Sequence, residues 1–325
     1  MPTPPPAAPP GPVARRRAGG EWACRLPAGA GLALGAALAA AALASDASAQ
    51  SALDLVRDDY RDAVETARPT LLGIARATFG VLAVLEIALA ALWWTLRERG
   101  PADVLSALVV KLGWLGFVYG LLASFDFWFV PVIDGFVAAG QRTAVGPPMS
   151  PGDILAVGVE ISTALREGFF DEVDGLDFFT NLGLLDTAFT VLVTSLLIEI
   201  AYVLIAAVVV LTFVEAYVAL TTGSLVLGFA AFRGTASLAD RFVAYAFAVG
   251  IRLFLLFLLV GIGQNLAEGW ALAIAADPLN KAVLAEVLGG TLTFVLIVLV
   301  IPFRAASQLT AGFDPGLARG LLAVG

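Results

Sequence analysis

DTAFTVLVTSLLIEIAYVLIAAVVVLTFVEAYVALTTGSLVLGFAAF, residues 186–232, is apolar almost without a break; after Asp186 at its start only Glu199 and Glu215 carry charge. At about 1.5 Å per residue it is too long for one helix standing across ~30 Å of hydrocarbon. It is also short for two full crossings with a turn between them. One crossing to about residue 213, followed by a re-entrant or interfacial piece through Thr221-Thr222-Gly223-Ser224 to Phe232, gives the whole chain five spans. Two full crossings give six and reverse everything downstream.

The arginines discriminate between these threadings, because cytoplasmic loops are enriched in Lys and Arg. The other apolar runs long enough to cross are 70–94, about 104–124, 242–264 and 282–302. Five spans with the N-terminus outside and the C-terminus inside place Arg97, Arg99, Arg233, Arg241, Arg304 and Arg319 in the cytoplasm. Six spans put the last four outside. The expected fold is an all-α polytopic membrane protein of about five transmembrane helices, six being the alternative, with an extracytoplasmic helical loop.

Composition agrees. Hydrophobic residues make up 59% of the 325 and charged residues 14%, against about a quarter charged in soluble domains. There is no histidine, and Cys24 is the one cysteine. That argues against zinc sites, disulfides, Cys or His nucleophiles and histidine proton relays. An intramembrane enzyme would need a Ser/His pair, paired aspartates or a metal set. The expectation is therefore no enzyme, no cofactor and no metal. A net charge of −8 also argues against a general nucleic-acid-binding surface, which would be basic.

Residues 1–49 have the composition of a leader. A Pro-rich start is followed by Arg15, Arg16 and Arg17, then a small-residue apolar run at 26–44, then Ala47-Ser48-Ala49 before Gln50. This order fits a secretory signal with an A-x-A cleavage site; an uncleaved first transmembrane helix is the competing reading. Residues 50–69 place Leu53, Val56, Tyr60 and Val64 at helical spacing among many charges, as an amphipathic helix does. A first transmembrane hairpin occupies 70–124. The stretch 125–185 is acidic apart from Arg142 and Arg166, and so sits more easily outside. Within it, Ser150-Pro151-Gly152-Asp153 is a helix start, with an N-cap Ser, Pro at the first helical position and an acid at the third. The following helix lines up Ile154, Val157, Ile161, Leu165 and Phe169 on one face. That stripe needs a cover, either the protein's own membrane mouth or a partner. The transmembrane core is 186–303 and the tail 304–325.

Four ionisable residues fall deep in spans: Glu86, Lys111, Glu199 and Arg252. Each costs about 2.5–3.5 kcal/mol on insertion scales unless it is compensated. Counting depth along each helix pairs Glu86 with Lys111 and Glu199 with Arg252, either as clamps within a bundle or as the lining of a polar pathway. Arg76 and Glu215 lie near interfaces and can snorkel.

The stretch GFAAFRGTASLADR, 228–241, then works as helix stop, turn and helix start. Gly234 suits a left-handed position after a helix end, and Ser237 with Asp240 forms a capping box. Arg233 and Arg241 anchor the turn at headgroups.

The same stretch, preceded by Glu215-Ala216-Tyr217 and followed by FVAYAFAVGIRLFLLFLLVGIG at 242–263, resembles the TrbL family of conjugal-transfer proteins, the polytopic inner-membrane subunits of type IV secretion systems. The resemblance covers about 195–265 and contains no catalytic signature; the short C-terminal tail departs from the long one many members carry. It implies a homo-oligomeric subunit at the base of a translocation apparatus that moves DNA or protein across the inner membrane. It further implies contact of the extracytoplasmic loop with periplasmic subunits and of the cytoplasmic turn, with Arg233, Asp240 and Arg241, with ATPase subunits. A small-molecule transporter is the rival class. Carriers commonly show inverted repeats and Gly- or Pro-broken helices, and no repeat relates the halves of this chain.

Overall fold

The computed structural model describes residues 46–97, 100–143, 149–173, 185–277 and 280–313, with side chains from residue 52 onward. Residues 1–45, most of the expected signal segment, lie outside the described residues; 46–49, up to the expected cleavage site, begin the first helix. Among the described residues every regular element is a helix. The helices are α1 (Asp46–Leu96), α2 (Pro101–Ala123), α3 (Phe125–Thr143), α4 (Pro151–Val173), α5 (Leu185–Leu227), α6 (Ala236–Ala276) and α7 (Lys281–Thr310). A short 3-10 turn, Gly228–Ala231, follows α5. Five of these helices, α1, α2, α5 with its turn, α6 and α7, are long and apolar enough to cross a membrane.

The amphipathic segment and the first span are one helix of 51 residues that runs through Pro69. Proline cannot donate to the carbonyl one turn back. α1 nevertheless stays continuous, packed on α4 and α5 along its length and tied beside Pro69 by Arg68, whose Nη1 lies 3.1 Å from Asp126 Oδ1. The expected apolar stripe is only partly used: Leu53 and Val64 are half-buried, whereas Val56 and Tyr60 are exposed. Polar contacts do more. Asp54 accepts from the Ser150 hydroxyl at 3.0 Å and from the Gly152 N–H at 3.4 Å, at the head of α4.

The re-entrant piece does not form. α5 is a single helix of 43 residues, about 65 Å long. Thr221-Thr222-Gly223-Ser224 remains helical because the Thr221 and Ser224 hydroxyls bond back to the carbonyls of Tyr217 (2.9 Å) and Thr221 (2.7 Å). Gly223 is occupied by the Phe242 ring, which would lie 1.7 Å from a Cβ at that position.

Among the described residues between 125 and 185 the chain forms two helices, α3 packed on α6 and α4 on α5. α4 begins as expected, with Ser150 and Asp153 exchanging bonds: the Ser150 N–H donates to Asp153 Oδ2 at 2.7 Å, and the Asp153 N–H donates to Ser150 Oγ at 3.1 Å. Its stripe is covered by the chain itself. Ile154, Ile161, Leu165 and Phe169 are 1%, 2%, 0% and 4% exposed, against α5 above all. Gly158 lets the helices close, since a Cβ there would sit 2.3 Å from Tyr202 Cβ. α3 lies along α6, where Gly140 meets the Phe254 backbone and Gly250 meets the Phe136 ring.

The contacts also set the order along the long axis. α1 runs parallel to α5: Arg57 lies over the Phe213 ring, and Gly228 abuts Ala75. α2 runs back along α1, with Phe79 beside Tyr119 and the Arg76 guanidinium donating to the Ala123 carbonyl. α7 returns along α6, with Phe294 on Gly263 and Trp270 on Gly290. Consequently α2 flanks the turn after α5, whereas α7 flanks the first half of α5. The two apolar zones lie nearer end to end than side by side, and α5 and α6 join them.

Interhelical carboxylate clamps as candidate functional site

Glu86 of α1 and Lys111 of α2 meet in the hairpin. They are 0% and 1% exposed, with Lys111 Nζ 2.7 Å from Glu86 Oε1. Trp94, itself 2% exposed, places its ring centroid 6.0 Å from the ammonium. The other carboxylate oxygen reaches a third element. Glu86 Oε2 accepts the backbone N–H of Arg233 at 3.2 Å, and the Arg233 Nε lies 3.8 Å away. One buried acid therefore holds α1, α2 and the 228–235 turn together.

The turn lies flat on α1 between Ala75 and Glu86. Gly228 permits this approach, because a Cβ there would stand 2.7 Å from the Ala75 carbonyl oxygen. Thr235 closes the turn by donating its hydroxyl to the Phe229 carbonyl at 2.7 Å. Two local expectations fail here. Thr235 occupies the N-cap position of α6, so Ser237 lies inside the first turn and the box with Asp240 does not form. Gly234 is not left-handed; among the described glycines only Gly312 has a positive φ. Gly234 is needed instead for space, since a Cβ would meet the Phe232 ring at 2.5 Å. Arg233 turns towards Glu86, Asp240 is half-buried and Arg241 is exposed.

Glu199 and Arg252 are not paired. Glu199 of α5 binds Arg166 of α4 (Nη1 to Oε1, 2.9 Å) and accepts from the buried Ser162 hydroxyl at 2.6 Å. Arg252 of α6 binds Glu215 of α5 and stacks its guanidinium 4.6 Å from the Phe303 ring centroid of α7. Tyr245 donates to the second Glu215 oxygen at 2.7 Å. Phe213 opposite Phe257 and Gly223 opposite Phe242 fix this register. It leaves Glu199 some 16 residues, about 24 Å, along α5 from Glu215. Matching span midpoints failed because α5 and α6 are each about twice the length of a crossing. Glu215 is thus a clamp residue, and Arg166, read from sequence as part of a loop, is a counter-ion.

Each carboxylate therefore ties two or three helices: Glu86 the hairpin and turn, Glu199 α4 to α5, Glu215 α5 to α6. Glu86 and Lys111 are out of water, so removing one of them leaves an uncompensated charge costing about 3–5 kcal/mol; Glu199 and Glu215 are half-buried, and water offsets part of that cost there. A small enclosed cavity bordered by Tyr202, Gln264 and Phe294, and a groove between the end of α5 and the start of α6, are lined by none of the three acids. The geometry is that of fasteners, and no group of three or more metal-ligating side chains gathers among the described residues.

The curated relatives are conjugation proteins. A probable conjugal transfer protein TrbL of Sinorhizobium fredii (strain NBRC 101917 / NGR234) is 27% identical over 237 residues, which is 72% of this chain and 57% of the relative. A conjugal transfer protein TrbL of Rhizobium radiobacter is 25% identical over 237 residues, 72% of this chain and 56% of the relative. The chain thus matches somewhat more than half the length of each. The family model described as TrbL/VirB6 plasmid conjugal transfer protein matches residues 83–306, from just before Glu86 to the end of α7. This polytopic membrane chain, with its interhelical carboxylate clamps, belongs to the TrbL/VirB6 plasmid conjugal transfer family.

Proposed function

We propose that the protein is a non-enzymatic inner-membrane subunit of a conjugative type IV secretion apparatus, a scaffold and part of the passage for transferred DNA or protein. The observation that carries this reading is the match of the TrbL/VirB6 family over 83–306, from the second half of α1 into α7, a stretch in which Glu86, Glu199 and Glu215 serve as helix fasteners. A carrier would more often leave a carboxylate unfixed and facing a substrate cavity. Here Glu86, Glu199 and Glu215 each hold a basic partner.

In this reading the N-terminus faces outward and the C-terminus lies in the cytoplasm. The α3–α4 segment meets periplasmic subunits, the cytoplasmic side of the chain meets ATPase subunits, and copies of the chain assemble with one another. Arg233 contributes by holding the turn against α1 rather than by touching a partner directly. Affinity isolation of the tagged chain from detergent-solubilised donor membranes tests the assignment. Co-isolation of other transfer subunits, abolished when the 228–235 turn is scrambled, is the expected result. Isolation of the chain alone from transfer-competent cells, with altered solute uptake in the deletion strain, would move the assignment to a transporter.

A further inference from the structure

The groove between the last turns of α5 and the first turns of α6 has a volume of about 400 Å³, within the range of ligand pockets. Its walls are apolar, with Val226, Phe229, Leu238 and Phe242 among them. Three residues with side-chain hydrogen-bond donors stand at it: Tyr245, whose hydroxyl is given to Glu215, and the exposed Thr222 and Arg241. Neither the Arg241 guanidinium nor the Thr222 hydroxyl has a hydrogen-bond or ion-pair partner among the described residues. Of the acids on these helices, Asp240 directly precedes Arg241 and is half-buried, and Glu215 is occupied by Arg252 and Tyr245. The groove opens at the level of the first hairpin, because Gly228, next to the lining Phe229, abuts Ala75 of α1.

We propose that this groove is a binding site for one anionic phospholipid, with an acyl chain along the apolar walls and the phosphate on Arg241 and Thr222. A guanidinium with no counter-ion at the lipid boundary favours an anionic partner, and a phosphodiester supplies both the missing charge and acceptors for its planar donor fork. Basic pockets between membrane helices take phospholipid headgroups for the same reason. A purely apolar occupant would leave Arg241 uncompensated. A helix of a second copy would fill the walls but would bring no phosphate.

The test uses the full chain purified in dodecyl maltoside and supplied with either dioleoyl phosphatidylglycerol or dioleoyl phosphatidylcholine, with bound lipid counted by native mass spectrometry. Wild type should retain one phosphatidylglycerol per chain, preferred over phosphatidylcholine by about tenfold, which corresponds to 1.4 kcal/mol. Arg241→Gln should abolish the preference while some lipid of either kind still binds. Leu238→Trp and Val226→Trp, which fill the groove from an exposed and a half-buried position, should lower retention of both lipids. Inorganic phosphate in excess should not displace the lipid. Thermal unfolding and gel filtration identify any variant that fails to fold, and Arg241→Gln, at an exposed site, is the variant on which the proposal stands. Unchanged phosphatidylglycerol preference in Arg241→Gln overturns it. So does a change of oligomeric state in the tryptophan variants with lipid retention intact, which would assign the groove to a second copy.

Discussion

Replacing Glu86 by Gln separates the charge of the clamp from its hydrogen bond. Gln keeps a carbonyl oxygen that can accept the Arg233 N–H, but it removes the negative charge 2.7 Å from the Lys111 ammonium. Lys111 is 1% exposed and cannot reach water without opening the hairpin. The expected cost is that of an orphaned buried charge, about 3–5 kcal/mol. That is a large share of the 5–15 kcal/mol typical of a folded protein, and it corresponds to a Tm lowered by roughly 5–10 °C. Lys111→Met removes the orphan while approximately preserving volume. The double variant should therefore recover most of the loss, since an apolar pair commonly matches or exceeds a buried ion pair. Thermal unfolding of the four proteins in detergent, followed by tryptophan fluorescence with Trp94 as a local reporter, gives the coupling energy, expected at about 2 kcal/mol or more. A Glu86→Gln protein as stable as wild type, or a double variant worse than both singles, refutes the clamp.

Three further outcomes follow from the same geometry. Arg252→Glu should lower the level of folded protein in membranes, and Glu215→Arg in the same chain should restore part of it; Glu199→Arg should not, because Glu199 is bound to Arg166. Quantitative immunoblotting of the membrane fraction distinguishes these. Gly228→Leu forces a side chain into the Ala75 backbone and should cost about 1–3 kcal/mol, with faster proteolysis in the 228–235 turn as the readout. Ser150→Ala removes the N-cap of α4 and one bond to Asp54, so it should cost about 1 kcal/mol, seen as a small fall in Tm with the helix content unchanged.

Features set by nearby residues were legible in the sequence. The Ser150–Asp153 box depends on four consecutive positions and could be read directly. Glu86 opposite Lys111 followed from depth counting because α1 and α2 are joined by a short connection, which leaves little freedom of register. The same counting misassigned Glu199 and Arg252. Their helices are 43 and 41 residues long, so a residue at the middle of an apolar run is not at the middle of the helix. Register there is set by close approaches such as Gly223 on Phe242, which no local pattern announces. The change from charged to apolar sequence at 69–70 marks no break in the helix, because α1 runs through Pro69 with α4 and α5 packed on it. Thr235 and Ser237 are both good caps by composition, and the docking of the turn on α1 selects Thr235. Arg166 was overlooked as a counter-ion because the packing of α4 on α5 covers its apolar stripe from within the same chain. The signals available were the Gly158 position and the unpaired Arg166 on a helix rich in acids.

Donor-to-recipient DNA transfer tests the central claim most directly, measured in a strain deleted for this gene and again with the gene supplied in trans. A subunit of the transfer apparatus predicts that transfer is lost on deletion, returns with the wild-type gene, and returns more weakly with Glu86→Gln than with Glu86→Gln/Lys111→Met. Transfer at the wild-type frequency in the deletion strain would contradict the account.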